Sequence, residues 1–518
     1  MADKTYPLVS QSGIQSDGTR FASRRYNDGQ WCRFQRNLPR KMGGYVQKIE
    51  VDQVPRGTFS VPNDSVVNSY IGFKNGVQFF SYNKDYLLQG DYPYLNNRTP
   101  DNYVSDDNSL WTFDTMNKTI GFRRIIVAHS GLNLSDIDNR TETPVYIGDI
   151  GGVSGLNPLS EAGISVSGGV CVLYPYLFAF GNDGTVSWSS PGVPTSWFSE
   201  DNKDSGAGTI CIADQKIVAA RPTRGGSYSP SGLFWGTDSV VKSYFTGGAS
   251  IFSFDTICDK SSILSSNSII SMDSMFFWAG NDRFMFYNGN VQTLPNDTNI
   301  NFFYDNLNQE YKQKVWGTYI SRFNELIWFF PKYPSTECNW MIIYNKGLNC
   351  WYNTPILYNG DNNGIRTCGY FDNFTSRPFW FDGNYGYVHE SGLDDERIDG
   401  TRYPIKSYFE TPDISFCAID SSAQWKGVDR QVRLRRIEPD FVISGQMTLE
   451  IYGKAFASSQ PQLLDDSPFS FDENTEKIDL TCQSREITLK FTSNEVGGDY
   501  QLGNTILDFV LGDGRPST

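Results

Sequence analysis

The sequence predicts an all-β chain with a β-propeller-like centre, and three observations point there. Short apolar runs rich in aromatic residues are punctuated by Asn, Asp and Gly turn signals. The 518 residues include 48 Gly, 36 Phe, 29 Tyr and 12 Trp, the two populations that a multi-hairpin β protein uses most. The runs also recur, roughly every 50 residues, which is the spacing of a propeller blade of kelch-like length.

The densest stretch, residues 276–352, contains FFWAGNDRFMFYNGN, ELIWFFPKYP and WMIIYNKGLNCWY. It reads as paired hydrophobic strands closed by turns at Asn281-Asp282 and Asn288-Gly289. In chain order, residues 1–18 are polar and irregular. Between Arg20 and Lys48 the charge then turns basic, with Arg24, Arg25, Arg33, Arg36, Arg40 and Lys41 set against Asp28 alone, and Trp31, Phe34 and Tyr45 interleaved. Basic residues alternating with aromatics suit either a nucleic-acid arm or an extended segment that pairs with acidic neighbours, in this chain or in another copy. The second reading is preferred, because residues 30–34 alternate like a strand and Met42-Gly43-Gly44-Tyr45 closes it like a turn.

From about residue 60 to 400 the repeats are anchored near Tyr70, Gly121, Val172, Leu233, Phe276, Leu326 and Pro378. One helical window, residues 304–314, interrupts them, with Asp305 as its expected N-cap. Beyond residue 400, QVRLRRI, MTLEIY, EITLKF and TILDFVL alternate with period two and are joined by polar loops such as residues 458–467. Each has one face to bury, so together they predict a β-sandwich.

Composition narrows the function. With 44 basic and 58 acidic residues the formal charge is −14, which repels nucleic acid over most of the surface. The nine cysteines stand singly, without CxxC spacing or a nearby histidine, and read as reduced thiols packed as small hydrophobes. The start of the chain has no apolar signal region, and no window has the roughly 18 apolar residues of a membrane span. The expectation is synthesis in a cytoplasm and no membrane span.

His129 and His389 are the only histidines. A Ser-His-Asp or Cys-His site would need one of them, and neither has such a setting, so no catalytic residue is assigned and no enzyme is expected. The acidic set Asp465, Asp466, Asp472, Glu473 and Glu476 lacks the carboxylate spacing of a calcium loop. No metal and no cofactor are expected. Trp197, Tyr304 and Trp380 are candidates for an exposed sugar-binding face, which gives the alternative function, a carbohydrate-binding or glycan-hydrolysing propeller for host-surface recognition.

Residues 185–198, TVSWSSPGVPTSWF, resemble the "WS-x-P-G-x-P-x-x-W" strand and turn of tail proteins from short-tailed bacteriophages. Residues 324–331, NELIWFFP, and 343–351, IYNKGLNCW, are similar to the two strands that follow in such chains. Residues 27–34, NDGQWCRF, with 39–45, PRKMGGY, resemble their opening "G-x-W-x-R-F … P-x-K-x-G-G-W", Tyr45 departing from the usual Trp. These patches keep their order along the chain, and on them it resembles the tail nozzle, or packaged-DNA-stabilising tail protein, of short-tailed phages.

That resemblance implies a structural subunit of the virion tail. It would be a homohexameric tube below the portal and the adaptor ring, holding packaged DNA and conducting it during ejection without sequence-specific binding. Tail fibres or tailspikes are further implied partners. The implied layout is residues 1–60 as an N-terminal arm and part of a platform, 61–400 as the propeller-like domain, and 401–518 as the C-terminal β-sandwich part of the platform. Arg20, Arg24, Arg25, Arg33, Arg36, Arg40 and Lys41 are assigned to a subunit or adaptor contact.

Overall fold

The computed structural model describes residues 4–512 apart from 9, 21–23, 64, 84–94, 102, 104–109, 120–123, 132–144, 160–167, 182, 199–204, 224–228, 249, 416–429 and 465–466. Among these residues the chain is almost wholly β and forms a propeller of seven blades, six of them four-stranded and antiparallel and the seventh part of a six-stranded sheet, beside a platform.

Blades 1 to 6 each use four consecutive strands. They begin with Pro55–Asn63, Thr112–Asn117, Gly169–Leu173, Ile217–Pro222, Ile270–Met272 and Trp316–Ile320. Blade 7 is assembled differently. It takes Cys368–Asp372, Arg377–Phe381 and Tyr385–His389 from its own region and completes itself with Tyr45–Glu50 from the N-terminal segment, paired His389 to Tyr45 and Tyr385 to Glu50. The ring is thus closed by a strand more than 300 positions away in sequence.

Alternate residues of a blade strand point to opposite faces, and in a propeller both faces are covered. On Arg124–His129, Ile125 and Val127 pack toward blade 3, whereas Ile126 and Ala128 pack toward blade 1. Apolar clusters fill the successive gaps between blades around the ring, down to the closing one, where Phe379 and Phe381 of blade 7 meet Ile71 and Phe80 of blade 1. That double burial is why these strands read as continuous apolar runs.

The platform interleaves both ends of the chain. One sheet holds Asp28–Gln30, Ser407–Glu410, Glu486–Ser493 and Met447–Lys454. A second sheet holds Lys4–Pro7, Ile506–Leu511, Val432–Glu438 and Ile478–Ser484, and a third holds Phe441–Ser444, Asp499–Leu502, Leu38–Lys41 and Cys32–Gln35. Phe409, Phe441 and Phe491 pack between the first and third sheets with ring centroids 5.2–6.4 Å apart. The same continuous core reaches Trp316, Phe329 and Trp380 of blades 6 and 7, so the platform is fused to the propeller by apolar burial.

Three expectations are corrected. The boundary expected at residue 60/61 cuts through the first strand of blade 1, and the platform gives way to the propeller just before Tyr45. The strand expected over residues 30–34 is broken at Trp31, which has φ of 50° and separates Asp28–Gln30 from Cys32–Gln35. The helix lies at Ile300–Asn306, followed by a 3-10 turn at Gln309–Lys314, so Asp305 falls near its end. Its first-turn amides are capped from afar, Asn301 and Phe302 donating to the Asp17 carboxylate at 2.8 Å each. Of the repeat anchors, Gly121 lies outside the described residues.

Gly44 marks the point where the closing strand enters, since a Cβ there would overlap the Asp394 backbone. Gly44→Ala is expected to destabilise the chain by about 1–3 kcal/mol through overpacking. Urea unfolding followed by tryptophan fluorescence checks it, and an unchanged midpoint would contradict the tight fit.

Candidate assembly site around the N-terminal basic segment

The basic segment folds as a hairpin, Cys32–Gln35 against Leu38–Lys41, turned at Arg36 and Asn37 with φ of 55° and 66°. Two residues of positive φ match the type I′ geometry that suits the strand twist. The seven assigned basic residues, of which Arg33, Arg36, Arg40 and Lys41 lie on this hairpin, fall into two groups.

Arg33 and Lys41 point inward. The Arg33 side chain is 1% exposed and grips two carboxylates. Its Nε and Nη2 donate to Glu325 at 3.0 Å each, and its Nη1 and Nη2 donate to Glu390 at 2.8 and 2.6 Å. Its guanidinium carbon stands 3.7 Å from the Phe323 ring centre. Tyr352 adds a hydroxyl donor to Glu325 Oε1 at 2.6 Å. Burial pushes the guanidinium down, but the two carboxylates outweigh it and hold Arg33 above its ordinary value. Burial likewise pushes Glu325 up, against the pull of Arg33. Arg33 therefore joins the platform hairpin to blade 6 through Glu325 and to the end of blade 7 through Glu390.

Lys41 is 2% exposed, and its Nζ donates to the Gly498 carbonyl at 2.5 Å. Burial lowers its pKa to about 8, against the pull of Asp394 and Asp499. As subunit or adaptor contacts these two residues are corrected: both are enclosed in their own chain, with their donors spent on Glu325, Glu390 and the Gly498 carbonyl.

The other five lie nearer the surface. Arg24 and Arg36 are exposed. Arg20, with a side chain 44% exposed, reaches Glu410 at 3.4 Å. Arg25, half-buried, donates to the Ser12 carbonyl, and Arg40, half-buried, donates to Gln35 Oε1 at 2.9 Å. Glu410 itself is raised by burial and by Asp28, with Lys490 and Arg20 opposing.

The remaining candidates fall elsewhere. His389 accepts from Arg366 Nε at 3.1 Å and lies 3.9 Å from the Trp380 ring, and burial with the Arg366 charge holds it well below the usual histidine range. His129 is buried in blade 2, its Nδ1 accepting from the Gly131 amide at 3.0 Å. Asp465 and Asp466 lie outside the described residues. Asp472 caps its own loop, accepting from Asn474 and Thr475, and no group of three or more His, Cys, Asp or Glu placed to hold a metal occurs among the described residues.

The three aromatics named for a sugar face do not form an exposed one. Trp197 and Trp380 are buried, and Tyr304 is half-buried with its hydroxyl bonded to the Gly280 carbonyl at 2.9 Å. Cys417 lies outside the described residues; of the eight free thiols described, six are buried, Cys258 is half-buried and Cys211 is exposed. Among the described residues, no helix is long and apolar enough to cross a membrane.

Glu325 and Glu390, with Tyr352 bonded to Glu325, are the partners of Arg33 that the local sequence pattern does not indicate as a group. Glu325 did leave a signal, since it opens the otherwise apolar ELIWFF, where a carboxylate needs a cation.

No protein-family model matches the chain, and no curated protein matches it. Among solved structures, it is similar to a chain of a mitotic checkpoint complex, at 10% identity over 65% of this chain and 96% of that one, with a TM-score of 0.38. It is similar to Raptor of Chaetomium thermophilum at 7% identity over 67% and 29%, with a TM-score of 0.41. A BBS1N chain crystallised with ARL6DN gives 7% identity over 68% and 99%, with a TM-score of 0.38. Similarity at these scores carries no inference, and the architecture rests on the strand pairing above.

Arg33→Met leaves two carboxylates without their cation and is expected to cost about 3–5 kcal/mol. Arg24→Glu with Arg36→Glu should stay within about 0.5 kcal/mol of the parent. Equal denaturation midpoints for the two variants would contradict the division. Lys41 also predicts a pH dependence. Its folded pKa lies below the unfolded value of 10.5, so between pH 8 and 10.5 the unfolded chain binds more protons and this group's contribution to stability rises with pH. The unfolding free energy of the parent minus that of Lys41→Met should grow by on the order of 2 kcal/mol across that window; a flat difference would contradict the buried ammonium.

Proposed function

We propose that this chain is a structural subunit of a bacteriophage tail nozzle. Six copies would enclose a conduit below the portal and adaptor ring, retaining packaged DNA and conducting it during ejection. The observation that carries the reading is where four of the five resembling segments fall, residues 185–198 lying apart in blade 3. NDGQWCRF and PRKMGGY supply the platform hairpin, the Arg33 clamp and the entry of the closing strand. NELIWFFP and IYNKGLNCW supply the blade 6 strands against which the platform packs, including Glu325. The motif residues of these patches therefore sit at one joint rather than being scattered over the surface.

Two further features support a conduit wall. Platform and propeller share one apolar core, which suits a part that must hold its shape under load. The formal charge of −14 keeps phosphates from adhering to a wall that duplex DNA must slide past. The conduit would lie between copies, with a heterologous contact between neighbours. Its place is the virion tail after synthesis in the host cytoplasm, and tail fibres or tailspikes are further partners of the assembled tube.

Negative-stain imaging with light scattering on the purified chain is expected to show hollow sixfold rings. Arg24→Glu with Arg36→Glu should leave a folded monomer and fewer rings. A monodisperse monomer for the parent chain would overturn the nozzle reading, whereas rings that persist in the variant would move the contact away from these two residues.

A further inference from the structure

A cleft of about 520 Å³ opens on the first platform sheet. Its floor includes Thr448 and Thr492, which face each other in register on neighbouring strands, and Glu450, Glu495 and Lys406 stand around it. Glu495 accepts the Gln446 amide through Oε2 at 2.7 Å, which fixes the carboxylate and leaves its other oxygen available. Glu450 is not neutralised, because Lys490 is shared between it at 3.9 Å and Glu410 at 3.7 Å. Thr492 is 8% exposed, and its Oγ1 meets no partner among the described residues. A buried hydroxyl left in that state is costly, and a donor entering the cleft would relieve it.

We propose that this cleft receives the basic tip of the N-terminal hairpin from a second copy of this chain, Arg36 and Arg24 of one copy entering between Glu450 and Glu495 of the next. The proposal rests on the ring reading above and names the surface that its two exposed arginines meet. Arg24 and Arg36 share one patch. The Gln11 amide donates to the Arg24 carbonyl at 2.9 Å, and the hydroxyl of the adjacent Ser12 donates to Oδ1 of Asn37, the residue after Arg36, at 3.5 Å. A guanidinium carries five N–H donors and no acceptor, so it suits a cleft that offers carboxylate and hydroxyl oxygens.

Tip and cleft belong to opposite ends of the hairpin. At its base Lys41 donates to the Gly498 carbonyl, and the Gly498 amide donates to the Glu495 carbonyl at 3.0 Å, which ties the Glu495 wall to that end. Arg36 sits at the turn, about five residues of extended chain and roughly 17 Å away. The tip therefore points away from the cleft of its own copy. Two different surfaces at opposite ends give a heterologous contact, which can repeat around a ring, and their opposite charge sets the orientation of the encounter.

The test reverses the charges on the full-length chain and reads assembly by negative stain and light scattering. One variant carries Arg24→Glu with Arg36→Glu, and the other carries Glu450→Arg with Glu495→Arg. Each alone is expected to give mainly monomer. An equal mixture of the two should regain rings, because every reversed tip then meets a cleft of the other variant, and so should a chain carrying all four changes. Glu450→Gln with Glu495→Gln, which introduces no new charge beside Lys490, should need at least about tenfold more protein for half assembly. Rings formed by the Gln variant as readily as by the parent would overturn the cleft contact and leave the nozzle reading standing. Loss of rings in both reversed variants, with no recovery in the mixture or in the fourfold change, would also overturn it. Absence of rings in the parent chain would remove the ring reading and this inference with it.

Discussion

The structure depends on one constraint, that a ring of blades must be closed, and here the closing strand comes from the segment that also builds the platform. Tyr45–Glu50 is the fourth strand of blade 7, between Tyr385–His389 and Asp395–Glu396. Residues just before it form the platform hairpin, and Pro55–Asn63 just after it opens blade 1. Pulling on the hairpin therefore pulls on the seam of the propeller. The parallel pairing of Asp395–Glu396 with Tyr45 and Val46 covers the other side of the closing strand, so the seam is held from both sides.

Arg33 adds direction to that seam. Apolar burial would hold the platform against blades 6 and 7 in any orientation that excludes water. A guanidinium that must reach Glu325 and Glu390 together, through four hydrogen bonds, permits only one. Burying such a group is costly in itself, so its net contribution to stability is small, and what it fixes is register. Removing the cation alone is the expensive change, because two carboxylates stay behind. Gly44 has the same character, since its missing side chain lets the closing strand pass the Asp394 backbone.

The propeller was legible because its physics is local. Second strands buried on both faces become apolar runs, and Tyr70, Leu233, Phe276, Leu326 and Pro378 each lie in the second strand of a different blade. Val172 lies in the first strand of blade 3. The turns at Asn281-Asp282 and Asn288-Gly289 join the strands expected of them. The rest was set by distant partners. Nothing near Tyr45 says that its strand belongs with residues 385–389. A basic run reads as a surface until Glu325 and Glu390, 292 and 357 positions away, are seen to enclose one of its members. The helix starts earlier than residues 304–314 for the same reason, its cap being Asp17 rather than a neighbour. Local pattern thus gave the blades, and the long-range contacts decided how they were locked.

The central claim is that the N-terminal segment locks propeller and platform into one body. Native-state hydrogen exchange, resolved to the amides of Tyr45–Glu50 and of its partner Tyr385–His389, tests it most directly. The account predicts protection as slow as that of the fully buried blade 6 strand Glu325–Phe330, with both strands losing it together. Fast exchange at Tyr45–Glu50 while Glu325–Phe330 stays protected would show a frayed terminus resting on a ring that closes without it, and would contradict the account.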